Sequence, residues 1–462
     1  MSGRPDAAQR DAERKLETRK RMREIEQSIL KRAPEHDLEP SLDRIAAVME
    51  LLGDPQHAFP VIHVTGTNGK TSTTRMIERM LREMGLSTGR FTSPHLHNIR
   101  ERIALNGEAI DAERFTASYE DVLPFIDMVD AKSAVDGAPR MTYFEVLVAV
   151  AYATFADAPV DVAIVEVGMG GSWDATNVVN AKVAVLTPIS VDHERFLGSS
   201  LEGIATEKAG IIKPGSVMVS GLQEPEVAQI LVARAEEVGA TPAFEGNEFG
   251  ILRRELAVGG QQLAIRGLGG DYDDLFVPLH GPHQGHNAAV ALAAVEAFVG
   301  GGEHRLDIDL IRAGLAGASS PGRLEIVRRS PTVLVDAAHN PAGALALTAA
   351  MEDSFNFAKV VGLVAILEDK DARAILEILE PALNEIVISR TTSPRAMSPD
   401  RLGRIAIEIF GEDRVTVVEN LPDALDRAAG LADEGGVGGA VLATGSITTA
   451  AEVRMLLGLT DG

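Results

Sequence analysis

The sequence has no cysteine and no apolar run near the ~20 residues that a membrane-spanning helix needs. Without cysteine, disulfide bonds and every chemistry that depends on a thiolate are excluded. We also expect no membrane partner. The segment from Arg4 to Arg23 is densely charged, and no hydrophobic stretch follows it. We therefore expect no secretory signal and a cytoplasmic protein.

Basic residues are also scarce. The chain has 44 Lys and Arg against 67 Asp and Glu, which gives a net charge of −23. This balance argues against nucleic acid as a partner, because a phosphate backbone needs a basic face. An anionic small-molecule substrate would need a locally positive pocket, for which Lys70, Lys208, Arg323 and a divalent metal are candidates. We expect a monomer.

The 462 residues are too many for one ordinary core. From about residue 40 to 300 apolar runs typical of buried strands, such as 160–167, 183–187 and 217–220, alternate with helical patterns. This predicts an α/β fold with a P-loop-type parallel sheet. The glycine-rich stretch 243–280 predicts a small antiparallel region. Beyond a linker the alternation restarts, which predicts a smaller Rossmann-like doubly wound domain.

The domain boundaries follow from these patterns. Residues 1–33 are predicted to be a charged helical arm, for which a solvated or partly disordered tail is favoured over a functional element. The predicted divisions are an arm at 1–36, a larger domain at 37–316, a linker at 317–322 and a C-terminal domain at 323–462.

The run from Thr65 to Ser72 has the layout of a phosphate-binding loop. It follows an apolar strand and precedes the helical pattern of Met76, Ile77 and Met80. Glycines let backbone N–H groups approach an anion, Lys70 reaches phosphates, and a hydroxyl can meet Mg²⁺. Val64 stands where the strict pattern has glycine, so this is a variant loop; a plain strand–turn–helix joint is the alternative.

Polar residues follow other predicted strands. Glu166 ends one of them, and a buried carboxylate there is costly unless it is paired or metal-bound. Metal ligation and a structural salt bridge are both open. Asp192-His193 is either a hydrogen-bonded structural pair or a source of a further metal ligand. The loop from Thr92 to Leu96 suits either a ligand-covering segment or a surface turn.

Four further residues carry weaker signals. Lys208 lies near the end of a predicted helix, where a lysine commonly favours the helix dipole. Arg323 lies at the predicted hinge, from which an arginine can reach phosphates. Asp336 and His339 follow a strand; a hydrolase triad fragment is the alternative there, but no Gly-x-Ser-x-Gly elbow precedes it.

Taken together, these stretches resemble the folylpolyglutamate synthase/dihydrofolate synthase family, a branch of the Mur-type ATP-dependent amide ligases. The matching motifs run in family order: Gly-Thr-Asn-Gly-Lys-Thr-Ser at 66–72, Thr-Ser-Pro-His-Leu at 92–96, Tyr-Phe-Glu-Val-Leu at 143–147, Glu-Val-Gly-Met-Gly-Gly at 166–171, Asp-Ala-Thr-Asn at 174–177, Asp-His at 192–193, Glu-Lys-Ala-Gly-Ile-Ile-Lys at 207–213, Pro-Gly-Arg-Leu-Glu at 321–325 and Asp-Ala-Ala-His-Asn-Pro at 336–341.

The resemblance implies that residues 37–316 are a Mur-ligase-like ATP-binding and catalytic domain and that residues 323–462 are a Rossmann-like ligase domain. It also implies the residues of the binding sites. It places ATP at Asn68, Gly69, Lys70, Thr71, Ser72, Asn287, Arg323 and Asp336. It places one or two Mg²⁺ ions at Ser93, Glu166 and His193, and it implies that Lys208 is carbamylated, with Lys70, Lys208, His193, Glu166 and His339 catalytic. It places the pteridine substrate at Ser41, Leu42, Thr142, Tyr143, Phe144, Glu145, Trp173, Asp174 and Ala175.

The implied activity is ATP-dependent addition of L-glutamate to reduced folate, and also to dihydropteroate, through an acyl phosphate. Two residues depart from the family pattern. Thr71 stands where folate ligases usually have glycine and Mur ligases have threonine, and Ser172 stands where many members have arginine. The alternatives are a Mur-type ligase that acts on a UDP-sugar peptide, and a nucleotide-binding ATPase module without ligase activity.

Overall fold

The computed structural model describes residues 7–33, 40–192, 194–198, 200–434 and 438–460. The chain divides into two compact units: residues 1–249, 267–270 and 290–314 form the first, and residues 250–266, 271–289 and 315–462 form the second. No helix within the described ranges has the length and apolar character needed to cross a bilayer.

Helices and strands alternate along the chain. The helices up to residue 249 are α1 (Ala7–Leu30), α2 (Asp43–Leu51), α3 (Lys70–Glu83), α4 (Ala112–Asp136), α5 (Tyr143–Asp157), α6 (Glu194–Leu197), α7 (Leu201–Ala209) and α8 (Pro225–Val238). The strands there are β1 (Val61–Thr65), β2 (Thr88–Phe91), β3 (Ile103–Leu105), β4 (Glu108–Ala109), β5 (Val162–Glu166), β6 (Val183–Leu186), β7 (Val217–Ser220) and β8 (Thr241–Phe244).

The remaining helices are α9 (Pro282–Gly300), α10 (Ile308–Ala316), α11 (Pro341–Ser354), α12 (Ala372–Leu379), α13 (Pro399–Phe410), α14 (Leu421–Glu434) and α15 (Ile447–Leu456). The remaining strands are β9 (Gly250–Ala257), β10 (Gly260–Arg266), β11 (Asp271–Val277), β12 (Glu325–Arg329), β13 (Thr332–Val335), β14 (Lys359–Val364), β15 (Glu385–Ile388), β16 (Val415–Val417) and β17 (Gly439–Thr444).

The first unit is built on an eight-stranded sheet of order β4-β3-β2-β5-β1-β6-β7-β8. The strands from β2 to β8 in this order pair in parallel, and β3 and β4 pair in antiparallel fashion at one edge. One apolar core joins the sheet to α1, α2, α4 and α5, and a second joins it to α7 and α8. Helices thus cover both faces, as parallel sheets require.

The second unit contains a six-stranded sheet of order β12-β13-β17-β14-β15-β16. Its strands are parallel except for β12, which pairs with β13 in antiparallel fashion. Apolar cores on the two faces use α11 to α13 and α14 to α15. The predicted fold class is confirmed: each unit holds an α/β sheet, and the second is doubly wound.

The predicted antiparallel region is the three-stranded sheet β11-β10-β9. By compactness its strands belong with the second unit. The predicted boundaries, which place 243–280 in the ATP-binding domain, stay a prediction.

The N-terminal arm is helical, as predicted, but the expectation of a solvated tail is wrong where the structure describes the arm. Residues 7–30 form the helix α1, and Met22, Ile25 and Ile29 on one side of it are buried in the core of the first unit. Their spacing of three and four residues is that of one helix face. The many charges around them conceal this short apolar stripe, which explains why a solvated tail was favoured.

Candidate active site

The predicted phosphate loop connects β1 to α3 in the centre of the first sheet. The loop lies where the chain moves from β1 outward to β2 on one side and later to β6 on the other, the position at which open α/β sheets bind ligands. Helix α3 begins at Lys70, and Gly69 precedes it in the left-handed conformation with φ of 88°. The buried Met76 and Met80 hold α3 against the core.

The segment that follows β6 fixes the backbone of this loop. The Thr67 backbone N–H donates to the carbonyl of Pro188 at 3.0 Å, and its hydroxyl donates to the Ser190 carbonyl at 2.8 Å. The Ser190 N–H donates back to the Thr67 hydroxyl at 3.0 Å. These bonds hold the loop on the segment that follows β6. The loop is therefore preorganised for an anion.

Two lysines converge on one carbonyl oxygen. The Lys70 ammonium group donates to the carbonyls of Gly66 and Thr67, each at 3.1 Å, and the Lys208 amine donates to the same Gly66 carbonyl at 2.8 Å. Lys208 comes from the last turn of α7 and is buried. The sequence places these residues 138 positions apart (208 − 70), and the fold brings them together.

This environment changes the proton affinity of Lys208. Burial and the positive charge of Lys70 together lower its pKa from 10.5 to about 7, while Asp192 and Asp174 act in the opposite direction. A buried ammonium group loses its hydration, so the neutral amine is favoured. Near neutral pH a substantial fraction of Lys208 is thus a nucleophilic amine, which is a different state from a helix-capping cation.

Glu166 is the last residue of β5, next to β1 in the sheet, and it is 1% exposed. Its carboxylate accepts the Thr71 hydroxyl at 2.9 and 3.0 Å and lies 3.4 Å from the backbone nitrogen of Ser93. The structure thus brings Thr71, Glu166 and Ser93 together. Among the described residues no group of three His, Cys, Asp or Glu side chains could hold a metal. The third predicted ligand, His193, lies outside the described residues.

The loop that contains Ser93 is shaped by one carboxylate. Glu101 accepts the backbone N–H groups of Leu96 at 2.9 Å, His97 at 3.0 Å and Asn98 at 2.7 Å. His95 accepts a hydrogen bond from Arg102 at 3.0 Å. Burial, with the Arg102 charge, lowers the pKa of His95 to about 3, so its ring is neutral.

The glycine-containing loop after β5 carries Trp173, Asp174 and Ala175. The Asp174 carboxylate accepts backbone N–H groups of Met169 and Thr176, each at 2.9 Å. Burial raises the pKa of Asp174 to about 6, although these hydrogen bonds oppose the shift. Asp174 and Ala175 are buried. In this structure the Asp174 carboxylate organises the loop.

The start of α5 holds the other predicted pteridine residues. Thr142 and Glu145 form a capping box, in which each side chain accepts the backbone N–H of the other. Arg44 donates to both oxygens of Glu145, at 3.0 and 3.2 Å. The guanidinium carbon of Arg102 lies over the Tyr143 ring, 5.2 Å from the centre of that ring. Phe144 packs edge-on against Phe91, with the two ring centres 5.7 Å apart.

Contact also links α5 to the loop after β5. A Cβ atom on Gly168 would lie 2.5 Å from the Phe144 ring, so only glycine fits there. Of the predicted residues near α2, Ser41 accepts the Asp43 N–H at 3.0 Å with its hydroxyl, and Leu42 packs on the core. These residues are all in the first unit.

The remaining predicted residues are in the second unit. The buried Asp336 carboxylate accepts the N–H groups of Leu324 at 2.8 Å and Ala338 at 2.7 Å. Burial raises its pKa, while the Arg323 charge opposes the shift. His339 Nδ1 lies 2.9 Å from the Ala337 carbonyl. Asn287 donates to Gln284 at 3.1 Å within the first turns of α9.

The sequence analysis missed two residues in this region. Arg44 fixes Glu145, and Glu207 accepts the N–H groups of Gly171 at 3.3 Å and Trp173 at 3.2 Å. A signal for the first exists: Glu145 is a charge at the start of the apolar pattern of α5, Arg44 is the one basic residue of α2, and buried charges are expected to pair. Glu207 has no comparable signal, because its exposed-looking helical position says nothing of a loop 34 residues away in sequence.

Comparison with known proteins places these features in a family. The Mur ligase middle domain matches residues 64–123 and 124–295, and the Mur ligase glutamate ligase domain matches residues 322–447. By fold and by site the molecule is thus of the Mur ligase class.

The comparisons narrow the class further. A dihydrofolate synthase/folylpolyglutamate synthase of Mycobacterium tuberculosis is 49% identical over 94% of this chain and 93% of its own length. The structure of a Mycobacterium tuberculosis folylpolyglutamate synthase complexed with ADP has a TM-score of 0.92 and 47% identity, and the match covers 96% of this chain and 99% of that one. An FPGS–AMPPCP–folate complex has a TM-score of 0.80 and 30% identity, covering 94% and 99%. This chain belongs to the folylpolyglutamate synthase/dihydrofolate synthase family.

Proposed function

We propose that this chain is an ATP-dependent ligase that adds L-glutamate to reduced folate to make folylpolyglutamates, and that it also adds L-glutamate to dihydropteroate to make dihydrofolate. One observation carries the proposal. The phosphate loop, the buried Glu166 and the buried Lys208 meet at the carboxyl edge of one sheet, in a chain 49% identical to a dihydrofolate synthase/folylpolyglutamate synthase.

The chemistry is amide formation through an acyl phosphate. A carboxylate oxygen of the acceptor attacks the γ-phosphorus of ATP, an O–P bond forms, and ADP leaves. The amine of L-glutamate then attacks the acyl carbon, loses a proton, and displaces inorganic phosphate. Both partners of the first step are anions, so electrostatic stabilisation carries most of the catalytic demand.

The first loop supplies the nucleotide-binding groups in this proposal. Gly69, Thr71 and Ser72 present backbone N–H groups at the start of α3, where the helix dipole favours an anion. Lys70 lies on the loop that would enclose the phosphates and would neutralise charge on the transferred phosphoryl group. The proposal also keeps Asn68, Asn287, Arg323 and Asp336 as nucleotide-binding residues.

The donor set around Glu166 fits magnesium. Its buried carboxylate and the Thr71 hydroxyl are oxygen donors, as Mg²⁺ prefers, and Ser93, whose backbone nitrogen lies 3.4 Å from Glu166, carries a further hydroxyl. Glu166, Ser93 and His193 would hold the ion. When bound, Mg²⁺ would offset charge on the phosphoryl oxygens. Thr71 then orients the Glu166 carboxylate through its hydrogen bond.

We further propose that Lys208 is carbamylated. A neutral lysine amine attacks CO₂, forms an N–C bond and loses a proton, so the product is a carboxylate-like anion. Lys208 meets the main requirement, because burial and Lys70 lower its pKa to about 7. The new negative charge would lie beside the Lys70 ammonium, and it could help to hold a second Mg²⁺.

The pteridine would bind to Thr142, Tyr143, Phe144 and Glu145 on α5 and to Trp173, Asp174 and Ala175 on the loop after β5, with Ser41 and Leu42 beside them. Support comes from the Gly168–Phe144 contact, which joins these two segments. His339 would position the incoming glutamate. A cytoplasmic location and a monomeric state also belong to the proposal.

Phosphate release tests the function. Enzyme with ATP, Mg²⁺ and L-glutamate should release phosphate only when tetrahydrofolate or dihydropteroate is added. Lys70→Ala should lower kcat by about a thousandfold, since it removes a cation from the transferring phosphoryl group. Lys132→Ala, which changes an exposed lysine on α4, is the matched control and should leave kcat unchanged. Phosphate release that needs a UDP-sugar peptide, or that needs no acceptor, would refute the proposal.

A further inference from the structure

The end of the N-terminal arm contacts the segment that begins the predicted pteridine site. Arg32 is buried, with 4% of its side chain exposed, and its guanidinium donates to the Asp130 carboxylate at 2.8 Å and to the Met141 carbonyl at 3.1 Å. The other Asp130 oxygen accepts the Met141 N–H at 2.8 Å. One residue further on, the Ala33 carbonyl accepts the Tyr143 N–H at 3.0 Å.

These bonds give hydrogen-bond partners to the backbone groups at the start of α5. Both polar backbone groups of Met141 and the N–H of Tyr143 are held by Arg32, Asp130 and Ala33, and the N–H of Thr142 is held by Glu145. Helix starts leave backbone N–H groups without intrahelical partners, and each needs a partner when buried. The arm therefore supplies partners that α5 cannot supply itself.

The position of this segment matters for the substrate. Thr142 to Glu145 form the first turn of α5, and their side chains are the proposed pteridine contacts. A shift of the Met141 backbone would move the whole turn, because Thr142 is the N-cap of the helix. Small misplacements of substrate-positioning groups have large kinetic effects.

The charges around Arg32 favour a positioning role over surface attachment. The arm makes a second ion pair with α4, between Arg21 and Glu120 at 2.7 Å, but about half of each of those side chains is exposed. Exposed pairs contribute little. The Arg32–Asp130 pair is buried. Asp130 also contacts Arg140 at 3.3 Å, but the Arg140 side chain is largely exposed, so Arg32 is the buried partner of this carboxylate.

We propose that Arg32 is a positioning residue for the pteridine substrate, which acts through the backbone of Met141 to Tyr143 and makes no contact with substrate itself. This inference rests on the proposed function. It assigns a role in acceptor binding to the N-terminal arm. The arm lies outside both Mur ligase domain matches, of which the first begins at residue 64 and the second at residue 322.

The test compares Arg32→Met with Arg21→Met, which breaks the exposed pair on the same arm. Arg32→Met should raise the KM for tetrahydrofolate or dihydropteroate by about tenfold and leave the KM for ATP within about twofold. Arg21→Met should change neither constant. Arg32→Lys, which keeps a charge and a donor, should recover part of the acceptor affinity.

A binding measurement separates positioning from general loosening. Trp173 is the only tryptophan of the chain and lies on the loop that packs against α5 through Gly168, so quenching of its fluorescence by a pteridine reports acceptor binding without turnover. The quenching titration should shift by the same factor as the acceptor KM in Arg32→Met, and it should not shift in Arg21→Met.

Folding of the variants needs its own control. Arg32→Met leaves the Asp130 charge buried, so the variant could lose stability. The double variant Arg32→Met/Asp130→Asn removes both charges and keeps an acceptor for the Met141 N–H. It should fold and still show the raised acceptor KM, because the bond to the Met141 carbonyl is missing.

The outcomes are distinct. Folded Arg32 variants with wild-type acceptor KM, or with equal increases in the KM for ATP and for the acceptor, would overturn this inference and leave the proposed function intact. Wild-type enzyme that neither releases phosphate with a pteridine acceptor nor shows pteridine quenching of Trp173 would overturn both.

Discussion

At the scale of single residues, Lys208 shows how burial changes chemistry. Its pKa of about 7 lies well below the 10.5 of an ordinary lysine. Between these values the unfolded chain holds a proton on Lys208 and the folded protein does not. Unfolding then takes up a proton, so the stability contributed by this site rises with pH. Below about pH 7 the full cost of burying the ammonium remains.

This rise of stability with pH leads to a prediction for Lys208→Met. In bicarbonate-free buffer the urea midpoint of the wild-type protein, relative to that of the variant, should rise between pH 7 and pH 9. The reason is that unfolding takes up a proton at Lys208 in this range, and only the wild type has this lysine. Equilibrium unfolding followed by circular dichroism measures the midpoints. Lys132→Met is the control. It changes an exposed lysine and keeps Lys208, so its midpoint relative to the wild type should not show this rise.

Carbamylation adds a second readout for the same pair of proteins. Bicarbonate together with Mg²⁺ should raise the midpoint of the wild type and leave Lys208→Met unchanged, because a ligand that attaches only to the folded state stabilises it. An equal rise in both proteins would remove the support for a carbamate at Lys208.

At the scale of elements, the loop between β1 and α3 depends on its glycines. Gly66 has a φ of 142°, and a Cβ atom there would lie 1.9 Å from the Thr187 hydroxyl oxygen and 2.8 Å from the Thr187 carbonyl oxygen. Its own carbonyl binds both Lys70 and Lys208. Any side chain at this position would separate β1 from the segment after β6.

Gly66→Ala should therefore raise the KM for ATP by about tenfold or more and lower the free energy of unfolding by about 2 kcal/mol, since a methyl group is forced into filled space. Gly85→Ala is the matched control. Gly85 also has a positive φ, of 83°, but a Cβ atom there would meet nothing within 4 Å. It should cost about 1 kcal/mol from backbone strain alone and leave the KM for ATP unchanged. Similar KM values for the two variants would contradict the steric account.

Elements with strong local patterns were the predictable ones. The apolar runs around 183–187 and 217–220 gave strands within one residue of β6 and β7. The long helix α4 was missed, because Pro124 interrupts it and its buried residues alternate with many charged ones. The short strands β3 and β4 and the antiparallel β12 were also missed. Strands β3 and β4 have three and two residues, which is too few to show a period, and the β12 sequence Glu-Ile-Val-Arg-Arg does not alternate strictly between apolar and polar residues.

The residues of the candidate site also divide into those that a local pattern predicts and those that it does not. The loop residues Gly69 and Lys70 and the strand-end Glu166 could be read from local pattern, because a strand end places them at the sheet edge. The role of Lys208 could not, because its state depends on Gly66 and Lys70 across the fold. No helical pattern reveals that a lysine is buried against a loop carbonyl. The role of Lys208 was implied by the resemblance alone. The buried contact between Lys208 and the Gly66 carbonyl gives a physical reason to expect it.

At the scale of the whole molecule, the net charge of −23 opposes the approach of both substrates. ATP and the folate acceptor are anions, and the chain offers them only local positive groups such as Lys70. Over distances beyond the Debye length, an approaching anion meets the net charge, and inside the site it meets the local field. The rate of association thus depends on the negative net charge, whereas binding depends on the positive groups inside the site.

Ionic strength separates these two parts. The Debye length falls from ~30 Å at 0.01 M to ~8 Å at 0.15 M, so added salt screens the long-range repulsion before it weakens contacts in the buried site. We expect kcat/KM for ATP to rise by about two- to fivefold over this range, at constant free Mg²⁺ and with a salt of weakly binding ions. The KM for glutamate, which carries less charge than the triphosphate, should change less under the same conditions. Steady-state phosphate release measures both. A fall in kcat/KM for ATP with salt would show instead that local attraction extends beyond the site and outweighs the acidic surface.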